Sequence, residues 1–184
     1  MAATIHQLKV TLREVKPTVW RRIVVPSNFV LGDLAVSLLG AMGWFNSHLH
    51  VFKVGRASYG MVDEELDDLG FRDEDEILVN EALPKVGSKL RFEYDFGDGW
   101  EHDVVVEEIG PRRPKTTYPL CLGGERACPP EDCGGVPGYA EILELLADPA
   151  RPDPEDVRGW VPPGFDPAHF DTAEATEEMR AYFR

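Results

Sequence analysis

An α+β fold is what this sequence predicts: a mixed or antiparallel sheet of about five strands, one helix after the first hairpin, and helices gathered towards the C-terminus. Three observations lead there. Apolar residues alternate near the N-terminus and again around residue 90, a helical apolar period lies between them, and helical patterning returns after residue 137.

In IHQLKVTLREV (5–15), Ile5, Leu8, Val10 and Leu12 stand among polar residues in near-alternation, the mark of a half-buried strand. Lys16-Pro17 breaks it, and VWRRIVV (19–25) supplies the β-branched residues of a partner strand. From Leu31 the period changes. Leu31, Leu34, Ala35, Leu38, Leu39 and Met42 share one face of a helix over 31–43 that Gly43 ends. A short strand over 48–54 follows, and this ββαβ opening invites comparison with a β-grasp roll.

Nine of the fourteen residues from Asp63 to Glu76 are acidic, which reads as a solvated surface excursion. KLRFEYDF (89–96) and WEHDVVVEEI (100–109) form a hairpin, turned by Gly97-Asp98-Gly99, which accept positive φ. Alternation sets Phe92, Tyr94 and Phe96 opposite Arg91, Glu93 and Asp95, and sets Trp100, His102, Val104 and Val106 opposite Glu101, Asp103 and Glu107. Residues 111–136 are dense in proline and glycine and read as one long Pro/Gly/Cys loop. Beyond it, Pro137 opens a helix with Tyr139, Ile142, Leu143 and Leu146 on its apolar stripe. Asp153-Pro154 begins a short helix. Asp171 and Glu174 have capping-box spacing for a last helix buried through Ala175, Met179, Tyr182 and Phe183. The expected organisation is one domain over 1–184: a sheet core over 5–110, the loop over 111–136 and a helical part over 137–184.

Charge narrows the partners. The formal net charge is −14, with 33 acidic against 19 basic residues, so direct nucleic-acid binding is disfavoured. The basic knots are Arg21-Arg22 and Arg112-Arg113 with Lys115. No apolar stretch approaches the ~18 residues of a membrane span. The N-terminus, MAATIHQLKV, lacks the layout of a signal peptide, so the expected address is the cytoplasm, away from membranes. In a reducing compartment the three cysteines are not expected to form a disulfide framework.

The chemistry-bearing residues fall in three stretches. YDFGDGWEHDV (94–104) reads locally as a hairpin whose acids bond turn amides and whose His102 is a hydrogen-bonded core residue. SHLHVF sets His48 and His50 two residues apart, on the same side of a strand. CLGGERACPPEDCGG carries Cys121, Cys128 and Cys133 at C-x6-C-x4-C. Imidazole and thiolate suit zinc, which would tie down the loop; buried apolar thiols and strand-starting histidines are the alternative.

In order, TLREVKPTVWRRIVVP, LLGAMGWFNSHLHVF, YDFGDGWEHDVVVE and YPLCLGGERACPPEDCGGVPGYAEILELLADP resemble the Ri-plasmid open-reading-frame-three-like family, over about residues 5–170. Its members are often labelled insertion-sequence passenger proteins of the TnpR type. The resemblance implies an α+β domain found in plasmids, mobile elements and ordinary genomes, without a settled activity. Its recurring stretches give the pocket candidates Trp44, Tyr94, Asp95, Asp98, Trp100, His102, Glu131 and Asp132. The metal candidates are His48, His50, Cys121, Cys128 and Cys133, with zinc as the cofactor. A serine recombinase is excluded on residues, because the first serine is Ser27, in VPSNF, and the C-terminal part is acidic.

Three functions follow. The first is a module that binds a small ligand or a protein segment, with structural zinc. The second is a metal-dependent hydrolase drawing ligands and a base from Asp95, Asp98, His102, Glu131 and Asp132. The third is a mobile-element accessory protein that meets a basic partner through the acidic run.

Overall fold

The computed structural model of the chain describes residues 4–62, 70–153 and 156–184. In order come β1 (Thr4–Leu12), β2 (Trp20–Pro26), α1 (Leu31–Met42), β3 (His50–Val54), β4 (Ala57–Gly60) and β5 (Arg72–Asp73). A 3-10 turn over Glu74–Glu76 leads to α2 (Val79–Ala82), β6 (Lys89–Tyr94), β7 (Trp100–Pro111) and β8 (Leu120–Glu125). The helices α3 (Gly135–Ala147), α4 (Val157–Trp160) and α5 (Thr172–Ala181) complete the chain.

All eight strands join one sheet in the order β5-β4-β3-β6-β7-β1-β2-β8. Every neighbouring pair is antiparallel except β4 with β5. The α+β class and mixed sheet are as expected; the strand number is not, being eight rather than about five. Two of the additional strands, β4 and β5, are too short to show a period. The third, β8, lies inside the segment read as an irregular loop. Its sequence, LCLGGE, lacks alternation because glycine is needed where the chain passes close to others. A Cβ on Gly124 would lie 2.6 Å from Phe170 Cζ and 2.9 Å from Arg21 Cδ. The β-grasp comparison stops at element order. β1 lies between β2 and the late strand β7, but it pairs with β7 antiparallel, where a β-grasp roll has a parallel pair.

The alternation in the central strands sends Leu8, Val10, Leu12, Ile23, Val25, Phe92, Trp100, Val104 and Val106 into one core, packed against Leu31, Leu34, Leu38 and Leu39 of α1. Gly43, at φ 96°, ends α1 as anticipated. The charged residues of the central strands pair with one another instead. Arg13 meets Glu101 and Asp103, Arg91 meets Glu101, and Arg22 meets Glu107 at 2.5 Å. Of the first basic knot, Arg22 is thus paired and Arg21 is buried.

α5 runs along α1 so closely that a Cβ on Gly40 would meet the Met179 backbone at 2.7 Å. It also covers the outer edge of β8. Thr176 Oγ1 accepts the Cys121 N–H at 2.9 Å, and Arg180 Nε donates to Pro119 O at 3.0 Å.

Several C-terminal expectations change. α3 starts at Gly135, and Leu145 is buried where Leu143 and Leu146 are only partly so. Asp171 caps α5 by accepting the Ala173 and Glu174 N–H groups, but Glu174 completes no capping box; its carboxylate takes His169 at 2.7 Å. Tyr182 and Phe183 lie past the end of α5 and are exposed. The short helix begins later than expected, at Val157 with Asp156 as its N-cap, although the Asp153 carboxylate still accepts the Val157 and Arg158 N–H groups. Pro154 and the first half of the acidic run, 63–69, lie outside the described residues. No helix among them is long and apolar enough to cross a membrane.

Candidate functional site

Three connecting segments meet at one end of the sheet: the chain between α1 and β3, the β6–β7 turn, and the coil between β8 and α3. Trp44, just past the Gly43 cap, is the hub. Its ring packs 5.1 Å from Tyr94, 5.8 Å from Trp100 and 5.4 Å from His102, the last edge-on. Its Nε1 donates to Pro129 O at 2.9 Å and so fixes the coil. A second tie runs through Glu131, whose Oε1 accepts the Phe45 N–H at 2.9 Å and the Tyr94 hydroxyl at 3.1 Å. Burial, with the Glu131 carboxylate adding to it, pushes the Tyr94 pKa well above the ordinary phenol value, so the hydroxyl stays a donor.

The turn itself departs from strand alternation. Asp95 leaves the sheet at φ 57° and is buried, not set on the outer face beside Arg91 and Glu93. Its Oδ1 accepts the Gly97 and Asp98 N–H groups at 2.9 and 3.3 Å, which leaves Oδ2 to face inwards. Asp98 Oδ2 accepts the Gly134 N–H at 3.2 Å and joins turn to coil. Gly135 permits this approach: its φ is 67°, and a Cβ there would sit 2.5 Å from Asp98 O.

Within this frame His48 Nε2 lies 3.1 Å from Asp132 Oδ1, 3.7 Å from Asp95 Oδ2 and 3.9 Å from Glu131 Oε2. Despite the short approach to Asp132, Nε2 is a buried atom without a hydrogen-bond partner, because the orientation is wrong for one. One donor atom each from His48, Asp95 and Asp132 falls within 4.8 Å of the others. No other set of three or more potential ligands gathers so among the described residues.

The two histidines do not act together. β3 begins at His50, so strand alternation does not reach back to His48. His50 Nε2 instead meets Glu74 Oε2 at 2.9 Å, both side chains buried. Glu74 thus belongs to the core, a role that an acidic run read as solvated gave no sign of. The thiols stay outside the cluster too. Cys121, Cys128 and Cys133 are free and buried, and burial pushes Cys133 up to about 12 and raises the other two. Trp100 and His102 underlie the site without opening onto it; both are fully buried. His102, one of the five residues the hydrolase reading drew on, is thus sealed in the core, while Asp95, Glu131 and Asp132 stand together at the notch.

A mixed sheet with helices packed against it, and an acidic, aromatic notch where three loops meet at one end, defines the class: an α+β protein. The chain belongs to the plasmid pRiA4b ORF-3-like protein family, whose sequence pattern matches residues 4–174. It is 42% identical over 161 residues to the uncharacterized protein y4hQ of Sinorhizobium fredii, covering 87% of this chain and 82% of that one. A protein of unknown function from Methanosarcina mazei, known as a crystal structure, superimposes with a TM-score of 0.84 at 33% identity, over 95% of this chain and 98% of the other.

Proposed function

We propose that this protein is a binding module whose loop-assembled notch takes a divalent cation through His48, Asp95 and Asp132, with Glu131 beside them. The supporting observation is the convergence of one imidazole and two carboxylates from three separate segments. Tetrahedral coordination with bonds of about 2.0–2.2 Å sets ligand atoms roughly 3.3 Å apart, close to the 3.1 and 3.7 Å from His48 Nε2 to its two partners. A cation would also offset three carboxylates facing a single imidazole. Zinc suits the imidazole, and manganese suits a set richer in oxygen. The bound ion would hold the three segments together around the buried Trp44.

The test is thermal unfolding of chelator-treated protein with zinc, manganese, magnesium or calcium added in turn. Binding at a hundred times Kd adds about 2.7 kcal/mol, an expected rise of roughly 5–10 °C in Tm for a chain of this size. His48→Ala should weaken the best cation at least tenfold, by about 1.4 kcal/mol. Unchanged Tm with all four ions would refute the cation. Equal response of wild type and His48→Ala would place it elsewhere.

A further inference from the structure

Glu131, which faces His48 with Oε2, also lines a cleft of about 480 Å³ between the C-terminal end of α1, the coil 127–131 and the segment that leads into α5. A second hollow of about 410 Å³ shares Gly43, Trp44, Phe45 and Glu178 with it and extends to Tyr182. The two make one groove, a shape that suits a length of chain better than a compact molecule.

Its chemistry has a definite sign. Phe45 is 78% exposed and Trp160 68%, two rings held out beside the groove. Glu131, Asp171, Glu174 and Glu178 line it. Its two basic residues are engaged internally. Arg21 Nε donates to Ala41 O at 2.7 Å and Nη1 to Trp20 O at 2.9 Å, while Phe170 stacks 4.4 Å from the guanidinium. His169 is bonded to Glu174. An arriving partner thus meets carboxylates and aromatic rings together, an arrangement that favours positive charge carried next to apolar side chains.

We propose that the groove binds a basic, amphipathic polypeptide segment, with an apolar side chain against Phe45 and Trp160 and a lysine or arginine against Glu174 and Glu178. This names the ligand class of the binding-module reading and does not depend on the cation.

Fluorescence anisotropy with the full chain at about 0.15 M salt tests it with three labelled peptides of about twelve residues, long enough to follow such a groove. They are built from lysine and leucine, from lysine and serine, and from glutamate and leucine. The lysine–leucine peptide should bind about tenfold tighter than the lysine–serine one, and the glutamate–leucine peptide should not bind. Phe45→Ala should weaken binding about fivefold and Glu174→Lys with Glu178→Lys about tenfold, while Glu76→Lys, in the 3-10 turn after β5 and outside the groove lining, should change it less than about twofold. Circular dichroism and Tm establish that each variant is folded.

Equal affinity for the two lysine peptides, or an equal loss with Glu76→Lys, would reduce the effect to diffuse charge attraction and overturn the proposal. So would absence of binding below about 1 mM, or sedimentation showing that the groove is filled by a second copy released by Phe45→Ala. Repeating the titration with chelator separates the two readings, since peptide binding that survives there leaves the groove intact even if the cation fails.

Discussion

Replacing Trp44 with alanine is expected to destabilise the protein by about 3–5 kcal/mol, the usual range for removing a large buried aromatic, and to lower Tm by roughly 10 °C. The cavity is only part of the cost. Trp44 stacks on Tyr94 and Trp100 and holds the coil through Pro129 O, so its loss frees the segment that carries Glu131 and Asp132. The variant should therefore lose both cation response and peptide binding. Trp44→Phe separates the contributions: the packing stays and the Pro129 bond goes, at a cost near 1 kcal/mol. Urea unfolding of the two variants measures this. A Trp44→Ala cost below about 1 kcal/mol would mean that the hub does not organise the loops.

The second large effect is acid sensitivity from His102. The ring is fully buried, its Nδ1 is within 3.2 Å of Phe92 O, and its Nε2 has no partner. Burial lowers its pKa from 6.5 to about 4. The unfolded chain accepts the proton below pH 6.5, whereas the folded chain resists it until near pH 4. Its contribution is therefore complete above pH 6.5, falls as the pH drops and levels off below 4. The full loss is about 3 kcal/mol, at 1.36 kcal/mol for each pKa unit. His6, whose pKa burial also lowers, contributes in the same direction. Urea unfolding between pH 7 and 4.5 should show the decline in the wild type. His102→Phe should flatten the decline, leaving the smaller terms from other shifted groups such as His6 and Glu107, and an unchanged pH slope would show that His102 takes up its proton alike in the folded and unfolded chains.

The parts of this fold that were legible were those with a long, regular period. Leu31 to Met42 reads as a helix because its apolar face recurs over three turns, and β6 and β7 read as strands because β6 and the first half of β7, Trp100 to Val106, bury every second residue. The site residues were legible by type and hidden in arrangement. Asp95 and Asp132 both take positive φ, at 57° and 55°, a local backbone choice that aspartate tolerates but does not announce. That choice, not strand alternation, turns Asp95 inwards to His48. His48 and His50 look like a matched pair until the start of β3 is known, and Glu74 becomes a core partner only through a contact 24 residues away in the chain. Phe45 and Trp160 were not among the expected pocket residues, because an exposed aromatic ring has no period to mark it.

The Thr176 hydroxyl on the flank of β8 has one more consequence. A shortened chain that stops before Thr172 would leave the last strand of the sheet with unmet amide donors and no lid. Such molecules are expected to zip together side by side into insoluble material, so light scattering, more than loss of helix signal, would register the missing segment.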